Sequence, residues 1–318
     1  MKKTKILLIS SLLIFVGIVI FVGGMTMLKW NFKNLTLLKY DTHSYMPDDS
    51  FTKISVDTTT ADIIFVATND EKASVVCYEK ERMNHTVYVE NNELVIKLND
   101  TRKWYHFIGF DFDSPKITVN LPKQEYDLLK INSSTGNTKI PEGLSFKVSE
   151  IALSTGDIYY NCTKSGDVKL SATTGDISVN GLSYVSLSAT VSTGDVDVRC
   201  VNCSGDIALS FTTGDIEVEN VTCNSIYANG STGDVELNNV IASAFINIKT
   251  STGDIQMERC DAGELKIEAS TGDIKGTLLS EKIFIARTDT GRVDVPLGMG
   301  GGLCEITTDT GDIKITIQ

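Results

Sequence analysis

From Phe51 to the C-terminus, apolar side chains alternate with polar ones. Period two with one apolar face predicts β-strands, and no window in the repeats carries the 3.6-residue spacing of an amphipathic helix. The alternation is phased by a recurring Thr-Gly-Asp. Its glycines are Gly136, Gly156, Gly175, Gly194, Gly214, Gly233, Gly253, Gly272, Gly291 and Gly311, 19 or 20 residues apart. Two residues after each glycine from Gly156 onward comes Ile158, Ile177, Val196, Ile216, Val235, Ile255, Ile274, Val293 or Ile313. Four after comes Tyr160, Val179, Val198, Val218, Leu237, Met257, Val295 or Ile315, with Gly276 the exception. Seven before, the apolar face returns at Val168, Leu187, Ile207, Ile226, Ile246, Leu265 and Phe284. Each repeat therefore holds two strands separated by corners, and repeats this short bury an apolar face only by stacking. The predicted fold is all-β, a β-solenoid of about ten coils over residues 133–318, roughly 45 Å long at the inter-strand spacing.

The corners have their own chemistry. Gly156, Gly175, Gly194, Gly214, Gly233, Gly253 and Gly272 are expected at structural turns that a Cβ would forbid. The following acids, Asp157, Asp176, Asp195, Asp215, Asp234, Asp254 and Asp273, then stack into a column. Like charges about 5 Å apart repel by roughly 0.8 kcal/mol in a water-like dielectric. Either a backbone N–H per carboxylate or calcium between neighbours would relieve that. The turn is the preferred account, the calcium ladder its alternative.

Ahead of the repeats, residues 51–132 read as short strands with a tight Asn91-Asn92 hairpin turn, and are expected to cap the solenoid. Thr58–Ile64 looks like a degenerate repeat with Ala61 in the glycine place. Trp104, Tyr105, Phe107 and Phe110 form an aromatic cluster, read either as a binding platform or as a loop over the core's end. Residues 6–28 carry no charge, so residues 1–28 are expected to be a short cytoplasmic tail and a single transmembrane anchor. A cleaved signal peptide is the alternative. Residues 29–50 then read as a stalk. The last strand, Asp312–Gln318, runs to the chain end, so self-association through the C-terminal coil is expected to be possible.

Composition narrows the functions. The 318 residues have a net charge of −12. The repeats alone hold 25 acidic against 13 basic side chains, which excludes nucleic acid as a partner. Seven cysteines, Cys77, Cys162, Cys200, Cys203, Cys223, Cys260 and Cys304, make an odd count scattered through the chain, not a disulfide framework. Cys203, Cys223 and Cys260 fall at positions where neighbouring repeats have Ala or Val, so they are read as small core residues, with a Cys203–Cys223 disulfide as the alternative. Cys200-x-x-Cys203 is half a metal motif with no second half. The histidines, His43, His85 and His106, are spread outside the repeats, and no catalytic motif is present. No catalysis, no cofactor and no metal are expected.

The repeated units Ser154–Ile158, Ser192–Val196 and Ser231–Val235, with the late variants Asp289-Thr-Gly291 and Asp309-Thr-Gly-Asp312, resemble a bacterial adhesin-type family of β-strand repeat proteins of unknown function. The resemblance covers about residues 50–318. It implies a membrane-tethered, extracytoplasmic solenoid at the cell surface, serving adhesion or scaffolding toward a cell-wall or host-surface glycan or protein. The competing classes are an accessory protein of an envelope-stress system and a glycan-active β-helix enzyme.

Overall fold

The computed structural model describes residues 2–27, 29–30, 39–101, 114–298 and 300–318. Among the described residues there is an N-terminal helix, α1 (Lys2–Met27), and every later regular element is a strand. The stretch Ile9–Met27 has a mean hydropathy of 2.3, long and apolar enough to cross a bilayer. Trp104, Tyr105, His106, Phe107 and Phe110 lie outside the described residues.

The glycines stack. All ten have φ between +124° and +153°, a region closed to most side chains. A Cβ on any of them would come within 1.7–2.3 Å of a carbonyl oxygen in the neighbouring coil, for instance 2.0 Å from Gly194 O at position 214. Parallel pairing then runs coil to coil in strict phase, Ile158↔Ile177, Ile177↔Val196, Val196↔Ile216 and Ile216↔Val235. These residues and their partners at plus four and minus seven form one continuous core. Gly276 breaks the apolar pattern because Met257 fills its space: a Cβ there would meet the Met257 side chain at 3.1 Å.

The Asp column is built into the stacking. Each carboxylate accepts the backbone N–H of its counterpart in the next coil. Asp195 N donates to Asp176 Oδ1 at 2.9 Å, Asp215 N to Asp195 at 2.8 Å, Asp234 N to Asp215 at 2.7 Å and Asp254 N to Asp234 at 2.7 Å. The series begins at Asp62, which accepts from Asn137 N at 3.0 Å, and Asn137 Oδ1 accepts from Asp157 N at 2.8 Å. Ala61 thus stands in the glycine column, as its sequence context predicts.

The cap consists of β1 (Tyr40–Tyr45), β2 (Lys53–Thr60), β3 (Asp62–Thr68), β4 (Ser74–Lys80), β5 (Met83–Glu90), β6 (Glu93–Asp100) and β7 (Lys116–Pro122). Asn91 and Asn92 take φ of 51° and 64°, the turn expected between β5 and β6. β1 pairs antiparallel with β4, so the segment read as a stalk over 29–50 joins the cap from Tyr40 onward.

Both ends depart from sequential stacking. β2 lies between β6 and Glu125–Thr135, and β3 between β7 and Thr138–Ile140. The first coil in sequence is therefore second in space. At the far end, Gly302–Thr310 lies between Glu264–Thr271 and Lys282–Thr290. Ile313–Ile317 pairs with Ile274–Leu278 on one side and with Val293–Asp294 on the other. The C-terminal strand is thus interior, and the expected open edge at Asp312–Gln318 belongs instead to the coil 282–295. The crossing leaves a mark in sequence. Gly298, Gly301 and Gly302 pass so close to Lys282, Glu281 and Gly263 that a Cβ on any would sit 1.7–1.8 Å from a carbonyl oxygen. The exchange also explains Arg292, the one basic residue in the Asp column. Asp312 accepts from Arg292 N at 2.8 Å, and Arg292 sits in the terminal coil, where no further N–H needs an acceptor.

Three outcomes follow. Gly214→Ala should cost about 3 kcal/mol or more by denaturant unfolding, since the backbone strain alone is of order 1–3 kcal/mol and the methyl overlaps a carbonyl. Asp234→Ala should cost about 1 kcal/mol, whereas Asp234→Asn keeps the acceptor, removes one like charge and should match or exceed wild type at low salt. Equal losses in the two variants would refute the acceptor role. Finally, a chain ending at Gly301 should expose residues 280–301 to limited proteolysis, while one ending at Leu279 should resist it. Protection of that segment in the longer chain would contradict the exchanged order.

Candidate functional site

Two features could carry chemistry: a groove along one face of the column and a polar cluster inside the cap.

The groove lies between two acidic columns. One is the corner series Asp176, Asp195, Asp215 and Asp234. The other is the outward row between the two buried residues of each short strand, where Asp197 pairs with Glu217 and Glu217 with Glu236. Tyr159 closes one end. Arg199 sits in the adjacent row, opposite Asn180 and Glu219, and reaches across to the acidic row, with Nε 2.7 Å from Asp197 and an Nη 2.9 Å from Glu217. Even so, partial burial pushes the Asp197 carboxyl above its ordinary value, with Arg199 opposing. Farther along, the row turns basic at Lys275 and Lys314. There the N–H of Asp312 holds the Asp273 carboxyl below its ordinary value, aided by Lys275. At Asp176, Asp195, Asp215 and Asp234 one oxygen is committed to an N–H and the other faces the groove, where it can meet cations or a basic partner; at Asp157 and Asp273 the second oxygen is taken by Tyr159 and Lys275.

Cysteines follow the corner geometry. Cys200 is exposed at a left-handed corner, φ 55°, in a column with Asn220, Asn239 and Arg259. Cys203 is buried, so the two halves of the CxxC face different surroundings. Cys203, Cys223 and Cys260 are 3%, 7% and 0% exposed, in the core as their phase predicts, and all are free thiols.

The cap cluster escaped the sequence reading. β4 turns Val75, Cys77 and Glu79 inward, and Glu79 is only 1% exposed. Its Oε2 accepts from both the backbone N and the ring Nδ1 of His85, each at 2.7 Å. Its Oε1 lies 2.9 Å from Nδ1 of His43 on β1. The other ring nitrogen of His85 is 2.9 Å from Thr58 Oγ1, and Tyr45 donates to the His85 carbonyl at 3.0 Å. Burial, then the Glu79 charge, pushes the Cys77 thiol up to about 12. Two histidines 42 positions apart thus meet on one carboxylate. The available signal was Cys77-x-Glu79: an acid in the inward phase of an otherwise apolar strand needs a partner.

A family model, Toastrack DUF4097, matches residues 51–237 and 205–318. No curated protein matches the chain. Among solved structures, a "putative adhesin" from Parabacteroides merdae is 14% identical, with a TM-score of 0.52 over 75% of this chain and 96% of that one. Another so described, from Bacteroides fragilis, is 17% identical, with a TM-score of 0.40 over 88% and 97%. A lipid-binding protein, named as such provisionally, from Parabacteroides distasonis is 16% identical, with a TM-score of 0.46 over 87% and 96%. The first shares the fold. The phased glycines, the stacked coils and the family match agree: this chain belongs to the Toastrack DUF4097 family.

Proposed function

We propose that the protein is a non-catalytic binding scaffold, anchored in the cell membrane by α1 and displayed outside the cell. The observation that carries this is the acidic groove on a regular, stacked surface. Asp195, Asp197, Asp215, Glu217 and Glu236 project from neighbouring coils in register, with Arg199 reaching Asp197 and Glu217 from the adjacent row. Such a surface favours a partner with spaced positive charge, a basic protein segment or an amine-bearing glycan of a cell wall or host surface. Catalysis has little support here, since the groove repeats one arrangement of acids without a nucleophile or base set apart from its neighbours.

The full chain in detergent or nanodiscs, incubated with isolated cell walls and with host-cell surfaces, tests this. Salt-sensitive binding is expected, weakened at least about tenfold by Asp195→Asn, Asp215→Asn and Glu217→Gln together, since rim charges act through long-range attraction. Binding unchanged by the triple substitution would remove the groove from the account. Calcium on the outward Asp oxygens is the competing use of the same groove. A calcium-dependent rise in melting temperature, abolished by those substitutions, would favour it. A strain carrying only residues 1–50 that behaves as the full-length strain would favour the membrane-accessory reading.

A further inference from the structure

The buried cluster in the cap presents three different metal-donor atoms to one point. One ligand atom each from Cys77, Glu79 and His85 lie within 4.8 Å of one another, and all three residues are buried. We propose that this is a site for one divalent transition-metal ion of the zinc class, held by Cys77 Sγ, the Glu79 carboxylate and His85 Nδ1. This site is independent of the groove and of the binding function proposed for it.

Several observations converge on that assignment. The donor set is mixed thiolate, imidazole and carboxylate, which suits a borderline-soft ion such as zinc and not calcium or magnesium. Bonds of about 2.0–2.3 Å would fit among the three atoms after shifts on the order of 1 Å. The surroundings already supply what such ligands need. With Nδ1 turned to the ion, the His85 proton sits on Nε2 and is donated to Thr58 Oγ1, 2.9 Å away and itself buried. Glu79 is oriented by the His85 backbone N–H at 2.7 Å and by His43 Nδ1 at 2.9 Å. Its charge also has to be balanced. The basic groups that reach this buried carboxylate are two imidazoles, and a divalent ion supplies the positive charge in their place. The Cys77 thiol forms no hydrogen bond among the described residues, so ion binding breaks no existing bond of the thiol. His43 lies directly opposite Cys77 in the β1–β4 pair, so the ion's carboxylate ligand is positioned by the strand that enters the cap from the membrane side of the chain.

The test uses the full chain in detergent, stripped with a chelator and titrated with zinc alone. One equivalent should bind. X-ray absorption of the zinc-loaded wild type should show one sulfur neighbour with nitrogen and oxygen completing the shell. Cobalt in place of zinc should give a thiolate charge-transfer band that disappears in Cys77→Ser and persists in Cys200→Ser. Thr58→Val should weaken zinc binding about 10- to 100-fold, as loss of a partner that orients a ligating histidine typically does. Failure of the wild type to take up one equivalent, or a zinc shell with no sulfur or with several, overturns the proposal even if a variant does not fold. A cobalt band that survives Cys77→Ser overturns it as well.

Discussion

Everything in the column depends on one close approach of backbone to backbone. At each corner the carbonyl of one glycine occupies the space where the next coil would place a side chain. The contact holds neighbouring coils at strand spacing and fixes their phase, because a slip of one residue would bring a Cβ into that oxygen and turn every apolar residue outward. The rest follows from that registration. The acid after the glycine lies beneath the next amide and accepts from it, as Asp195 does from Asp215. The isoleucine or valine two residues on stacks into the core.

How much could be read in advance depended on the range of the interaction. Glycine φ, strand phase, the Asn91-Asn92 turn and the burial of Cys203 and Cys223 are set within a repeat or between like positions, so spacing alone revealed them. The role of the Asp column was legible as one of two options, and the N–H bonds along the column give the backbone account its geometry. The exchanged ends were not legible, because they depend on which coil meets which. Even so, Arg292 and the glycines at 298, 301 and 302 were their traces in the sequence. The cap cluster was hidden for the same reason: His43, Glu79 and His85 come from three strands whose pairing is antiparallel and outside the repeat.

Charge is distributed along the column with the same regularity. Positions facing solvent are free to differ from coil to coil, yet three consecutive coils place Asp197, Glu217 and Glu236 in one row beside the corner acids. Their mutual repulsion is tolerable because water and Arg199 screen it, and because the corner acids are held by N–H donors. The row then changes sign at Lys275 and Lys314. A charged partner laid along this face would meet a graded surface and not a uniform one.

The threading of the last two coils constrains when the molecule can be completed. A ribosome delivers residues 282–295 before 302–317, yet the earlier segment rests on the later one. During translation the nascent chain can add coils one at a time as far as Leu278. The tip then closes only once residues 302–317 are available, with Gln318 N–H donating back to Leu278 O at 2.9 Å.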